Sequence, residues 1–225
     1  VYTVDLLGCG RSDKSSITYT NFVYVQMISD FIKKIIGQKT DVIASGFSGS
    51  FVTMACHNEK ELFNKIMLVN PPSLTQLKQM PNRKDRLLKA ALEIPIFGTL
   101  VYHMIVSRDN INNLFIEKMY YNPFHVDNQM ADAYYEAAHK GGYYTRFLYS
   151  SLAAKYININ ICHALKALDN SIYIVEGETE PNGKSVTDDY CASNPAIEVS
   201  ILKETKHLPH IEAPEAFLEQ VKIFF

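Results

Sequence analysis

The sequence predicts an α/β fold: a mostly parallel sheet flanked by helices, with a helical segment inserted in the middle of the chain. Three observations predict it. Short apolar, β-prone runs alternate with helical ones, the pattern of parallel strands joined by crossover helices. From about residue 73 to residue 161 that rhythm stops and helical stretches take over. A serine turn before that block, and an acidic turn and a histidine loop after it, occur in that order, each just past the C-terminal end of an expected strand. In an open parallel sheet such ends share one edge, where ligands bind.

The elements follow from local pattern. Val1 to Leu6 is apolar enough for a strand. Thr20 to Ile36 reads as a helix, with Thr20 or Asn21 as cap and Gly37 as its end; Phe22, Val25, Met27, Ile28, Phe31, Ile32 and Ile35 recur at near-helical spacing. Asp41 to Ala44 is a strand that enters a small-residue turn, followed by a helical run from Phe51 to His57. Lys65 to Asn70 is a buried strand broken by Pro71-Pro72. Arg83–Glu93, Phe97–Val106, Ile111–Tyr120 and Gln129–Tyr144 are the expected helices of the inserted block, which carries most of the tyrosines. Ser171 to Val175 and Ala196 to Leu202 are two further strands, and a helix closes the chain. The expected organisation is a core of residues 1–72 and 162–225, interrupted by a helical cap at 73–161.

Composition bounds the function. The chain has 225 residues, 47% hydrophobic and 20% charged, enough for a sizeable core. A net charge of −2 gives no footprint for nucleic acid, and no apolar run is long enough to span a bilayer. Cys9, Cys56, Cys162 and Cys191 show no metal or redox spacing, so reduced, mostly buried thiols in a cytoplasmic protein are expected. No phosphate-binding glycine loop follows a first strand, which argues against a nucleotide site. The sequence is silent on oligomeric state.

The chemistry-bearing residues lie in the three turns. Gly46-Phe47-Ser48-Gly49-Ser50 follows a strand and precedes a helix, so Ser48 is the expected nucleophile at the apex of a strained turn. The backbone N–H of Gly49 is the expected oxyanion donor and Phe47 the expected pocket residue. Ser45 lies before the turn, still on the strand. A serine nucleophile needs a base, and the base an orienting carboxylate. His207 and His210 are the histidines of the last loop; Glu176, Glu178 and Glu180 crowd the turn after the preceding strand. Asn70 follows the middle strand, but an amide carries no charge.

Four segments together resemble the α/β-hydrolase superfamily in its helical-capped form. Asp5-Leu6-Leu7-Gly8-Cys9-Gly10-Arg11-Ser12-Asp13 is similar to its D-x-x-G-x-G-x-S-D loop, and Gly46 to Ser50 to its nucleophile turn. Gly177-Glu178-Thr179-Glu180 is similar to its G-x-x-D acid turn, with glutamate for aspartate. His207 to Pro214 is similar to its G-H-x-x-x-x-E-x-P loop, with Lys206 for the glycine. The resemblance implies Ser48, His207 and Glu180 as a triad, no cofactor and no metal, and a small-molecule substrate. It also implies that three strands and a His-Gly oxyanion loop precede the segment that opens here, so a fragment of a longer protein is expected, with Asp41 to Ala44 left as a bare edge. Arg11 and Asp13 are expected to tie their loop together. The expected activity is cleavage of a small-to-medium apolar ester or related acyl compound through an acyl-enzyme. The alternative is a non-catalytic relative that binds a small apolar ligand under the cap.

Overall fold

The computed structural model describes residues 1–225, apart from the side chain of residue 128. Its centre is a four-stranded, wholly parallel sheet in the order β1 (Thr40–Ser45), β2 (Phe63–Val69), β3 (Ile172–Gly177), β4 (Glu198–Leu202). The register sets Ser45 beside Val69, Val69 beside Val175, and Val175 beside Ser200. All four strands therefore end along one edge, and the turns that follow them are neighbours.

Side-chain alternation divides the core between the two faces of the sheet. Ile66, Leu68, Ile172 and Ile174 point to one face, where they join residues of α1 (Asn21–Phe31) and α2 (Phe47–Asn58). The Tyr24 and Phe51 rings stack there at 4.9 Å. Met67, Tyr173, Val175 and Leu202 point to the other face. β2 and β3 are near-continuous apolar runs because both their faces are covered.

Between β2 and β3 run the helices α3 (Leu74–Leu77), α4 (Arg83–Glu93), α5 (Phe97–Ile105), α6 (Arg108–Leu114), α7 (Asn128–His139), α8 (Thr145–Ala153) and α9 (Cys162–Ala167). α4 has a reciprocal cap: Asn82 Oδ1 accepts from the N–H groups of Lys84 and Asp85, and Asp85 Oδ2 accepts from the Asn82 N–H. The helix expected over Gln129–Tyr144 ends instead at His139, because Gly141 takes a left-handed conformation with φ 111°. After β3 come α10 (Gly183–Ser193), then β4, α11 (Pro209–Glu212) and α12 (Pro214–Phe224). Ala216, Phe217, Val221 and Phe224 of α12 cover the second face of the sheet.

The strand expected over Val1 to Leu6 does not form. The segment is irregular and largely exposed. Among the described residues β1 pairs on one side only, with β2, so Val1 to Leu6 lacks the ladder that would hold it extended. β1 is accordingly an edge strand, and its Ile43 is 46% exposed. The following loop is tied at Arg11 and Asp13, through their backbone groups. The Asp5 carboxylate accepts from the Arg11 N–H at 2.8 Å, the Asp13 carbonyl accepts from the Gly8 N–H at 2.9 Å, and Lys14 Nζ donates to the Ser12 carbonyl at 3.0 Å.

Phe63, fully buried at the start of β2, packs in the main core. Phe63→Ala is expected to cost about 3–5 kcal/mol, read as a lowered urea midpoint at unchanged slope.

Candidate active site

The acidic turn is shaped by contact with the histidine loop. Gly177 ends β3 against the backbone of Lys206, and a Cβ there would come within 1.9 Å of the Lys206 carbonyl oxygen. Only glycine allows so close an approach. Beyond it, the Thr179 N–H and hydroxyl both donate to the Thr205 carbonyl at 3.0 Å. The three glutamates separate here. Glu178 Oε2 accepts from the Glu204 N–H at 3.0 Å. Glu176 lies inward, 4% exposed. Glu180 Oε1 meets His207 Nδ1 at 3.1 Å.

His207 is half-buried, and the Glu180 hydrogen bond holds its proton more tightly than in a free histidine, with the Glu180 and Glu212 charges adding to that and burial opposing it. Its loop is fixed from three directions. The His207 N–H donates to the Met119 carbonyl at 3.1 Å. Glu212 accepts from the Lys206 N–H at 2.8 Å and from the Tyr121 N–H at 2.6 Å. Leu208 and Ile211 pack with Ile111, Phe115, Tyr120 and Ala131 of the inserted helices. The inserted block is thus bolted to the loop that carries the imidazole. His210 is held below the ordinary histidine range, first by burial and then by the His207 charge. Its ring lies tilted against that of Phe217 and does not join the pair.

Asn70 is the residue that sequence reasoning missed. Its place in the sequence suggests at most an acid, a role an amide cannot fill. The structure makes it a clamp: Nδ2 donates to the carbonyls of Lys206 and His207, both at 2.8 Å, and Oδ1 accepts from the Gly177 N–H at 2.9 Å. One buried amide therefore joins the ends of β2 and β3 to the histidine loop. Its φ of 42° is a conformation asparagine tolerates better than most residues. An asparagine between a strand and Pro71-Pro72 was the available signal.

The serine turn differs from expectation. β1 ends at Ser45 and α2 begins at Phe47, so the single residue between them is Gly46, with φ 58° and ψ −133°. The apex is Gly46, not Ser48, because the helix starts earlier than the run from Phe51 suggested. Ser48 is half-buried in the first helical turn, and its hydroxyl donates to the Ser45 carbonyl at 2.6 Å. Among the hydrogen bonds of the described residues, none joins Ser48 to His207. The Gly49 N–H, the expected oxyanion donor, donates to the Gly46 carbonyl at 3.1 Å. Phe47 is half-buried and packs against the main core. Ser50 is fully buried and donates to the Phe47 carbonyl at 2.7 Å. An apolar depression of about 440 Å³, lined in part by Pro95, Leu100 and Tyr143, lies in the inserted helices and touches none of these residues.

A family model described as "Alpha/beta hydrolase family" matches residues 1–220. This chain belongs to the alpha/beta hydrolase family. Solved alpha/beta hydrolases share its fold over 98% of its length. A serine hydrolase involved in carbazole degradation, CarC, has a TM-score of 0.76 at 16% identity, with 76% of that chain covered. The 2-hydroxy-6-oxo-6-phenylhexa-2,4-dienoate hydrolase of Rhodococcus sp. strain RHA1 gives 0.74 at 16% identity, with 78% covered. A carboxylesterase structure from the thaumarchaeon Nitrososphaera gargenis gives 0.69 at 16% identity, with 77% covered. At such identities the likeness concerns the fold alone. Among curated proteins none matches this alpha/beta hydrolase chain in sequence. No single helix among the described residues is long and apolar enough to cross a membrane.

Two outcomes follow from the site. Asn70→Ala strands the Gly177 N–H and frees two loop carbonyls; a loss of about 2–4 kcal/mol is expected, with faster amide exchange at residues 204–208. Burial pushes the Glu176 carboxyl up to about 7, with the Glu180 and Asp188 charges adding and a Thr187 bond opposing. The folded state therefore binds this proton more tightly than the unfolded one. Stability carried by Glu176 is present below pH 4.5 and is lost as pH rises through about 7. Glu176→Gln is expected to flatten thermal stability across that window, by an amount on the order of 3 kcal/mol.

Proposed function

We propose that this chain hydrolyses small-to-medium apolar esters or related acyl compounds, with His207 as the proton carrier and Glu180 as the group that orients and steadies it. The observation that carries the reading is the 3.1 Å contact between His207 Nδ1 and Glu180 at the C-terminal edge of the sheet. A carboxylate on Nδ1 leaves Nε2 as the free nitrogen, fixes the tautomer and stabilises the imidazolium that forms during catalysis. An acyl-enzyme through Ser48 would require its hydroxyl to leave the Ser45 carbonyl, to which it donates at 2.6 Å. The inserted helices of residues 73–161 serve as the cap over this edge. Their attachment through Met119 and Tyr121 to His207 and Glu212 supports that role, since a cap fixed to the base loop excludes water and shapes substrate choice. The four unbridged cysteines fit a reducing, cytoplasmic setting.

The test is turnover of p-nitrophenyl esters of graded acyl length. His207→Ala is expected to lower kcat/KM by about 10²–10⁴, the usual worth of a positioned base, and Glu180→Gln by a smaller factor. The pH profile has a definite sign. His207 must be neutral to accept a proton, and its pKa lies above the ordinary value of 6.5. Activity therefore rises with pH through a midpoint above 6.5, and Glu180→Gln moves that midpoint down. Unchanged turnover in His207→Ala would sink the reading.

A further inference from the structure

Gly46 is the one residue between strand and helix, and its backbone conformation is sparsely populated and glycine-like. A nucleophile presented by such a turn occupies the strained residue itself, because a side chain there stands clear of both strand and helix. Ser48 lies two residues on, inside α2, with its hydroxyl folded back on the Ser45 carbonyl. A Cβ built on Gly46 meets nothing within 4 Å, so space for a side chain is open and only the side chain is lacking. The position is also tied toward the base. The Gly46 N–H donates to the Val69 carbonyl at 2.9 Å, and the next residue, Asn70, holds the His207 carbonyl at 2.8 Å. The residue after the apex is Phe47, whose N–H is the first of the helix and one of the groups that α-helical bonding leaves unpaired.

We propose that position 46 is the nucleophile position of this chain, that it carries no nucleophile, and that hydrolysis proceeds by direct attack of water with no acyl-enzyme. The proposal rests on the reading of His207 and Glu180 as the working base and its orienting acid. In the step, His207 Nε2 takes one proton from a water molecule while the water oxygen bonds to the acyl carbon. The carbonyl electron pair moves onto its oxygen, toward the Phe47 N–H. That pair re-forms the carbonyl as the bond to the leaving oxygen breaks, and the imidazolium returns its proton to the departing aryloxide. One aryl ester and one water give one acid and one phenol. Without covalent help the site favours acyl compounds with good leaving groups, so aryl esters are the substrate class.

Labelling with a fluorophosphonate, read by intact mass and peptide mapping, tests this. Wild-type protein is expected to stay unlabelled. Gly46→Ser is expected to become labelled at residue 46, and Gly46→Ser/His207→Ala to lose that label. Wild-type labelling at Ser48, abolished in Ser48→Ala, overturns the proposal; so does a Gly46→Ser protein that melts cooperatively yet stays unlabelled. If Gly46→Ser does not fold, the wild-type protein decides. Two aryl esters with one acyl group and different leaving groups are hydrolysed in the presence of hydroxylamine. Direct attack gives hydroxamate-to-acid ratios that differ between the two esters. Equal ratios reveal a shared acyl-enzyme and overturn the proposal, and absence of any wild-type turnover overturns the water step. Wild-type turnover that persists in His207→Ala instead refutes the base assignment, while labelling of Gly46→Ser still reports on position 46.

Discussion

The side-chain amide of Asn70 is the interaction on which the site depends. Parallel strands deliver their ends to one edge but do not fix the loops beyond them. Asn70 does that with one buried group that donates twice and accepts once. It closes the distance between the β3 end and the histidine loop, and Gly177 makes the closure possible by having no side chain there. The Glu180–His207 contact is downstream of this clamp, since each partner sits on one of the two segments it joins. The same device recurs elsewhere in the chain. Asn158 Nδ2 donates to the carbonyls of Gln76 and Gln79, Asn170 Nδ2 to those of Phe63 and Asn64, and Asn194 Nδ2 to those of Leu165 and Leu168. Irregular backbone that comes inward must find partners for its carbonyls, and here a forked amide supplies two donors at once.

The carboxylates show how one short turn distributes three chemically similar groups. Glu178 faces a backbone N–H in a solvated setting, Glu180 faces an imidazole, and Glu176 is enclosed. Spacing along the strand decides this: residues two apart share a face only while the strand persists, and β3 stops at Gly177. Past that point the turn geometry, not the alternation, decides direction.

Much of the fold was legible because periodicity reports burial. The runs Ile66 to Val69 and Ile172 to Val175 are uninterrupted by charge, and both lie in central strands covered on two faces. Arg83–Glu93 was legible to the residue, since Asn82 and Asp85 form a reciprocal cap and Ile94-Pro95 ends the helix. The first segment misled, because Val1 to Leu6 has strand-like composition but no neighbour, and β structure is a property of pairs. The serine turn misled for a different reason. Apolar patterning placed the helix from Phe51, whereas small residues such as Gly49 and Ser50 are invisible to a periodicity argument and belong to the helix all the same. A four-residue error in where a helix starts is ordinary, but at this turn it changes which residue stands at the apex. Asn70 was illegible as a clamp because all its partners are backbone atoms of distant segments.

The free side of β1 bears on how the sheet extends. Among the described residues β1 pairs only with β2, and its Ile43 is 46% exposed. An extended segment laid along that side, whatever its source, would take up backbone hydrogen bonds and cover Ile43 in the same step.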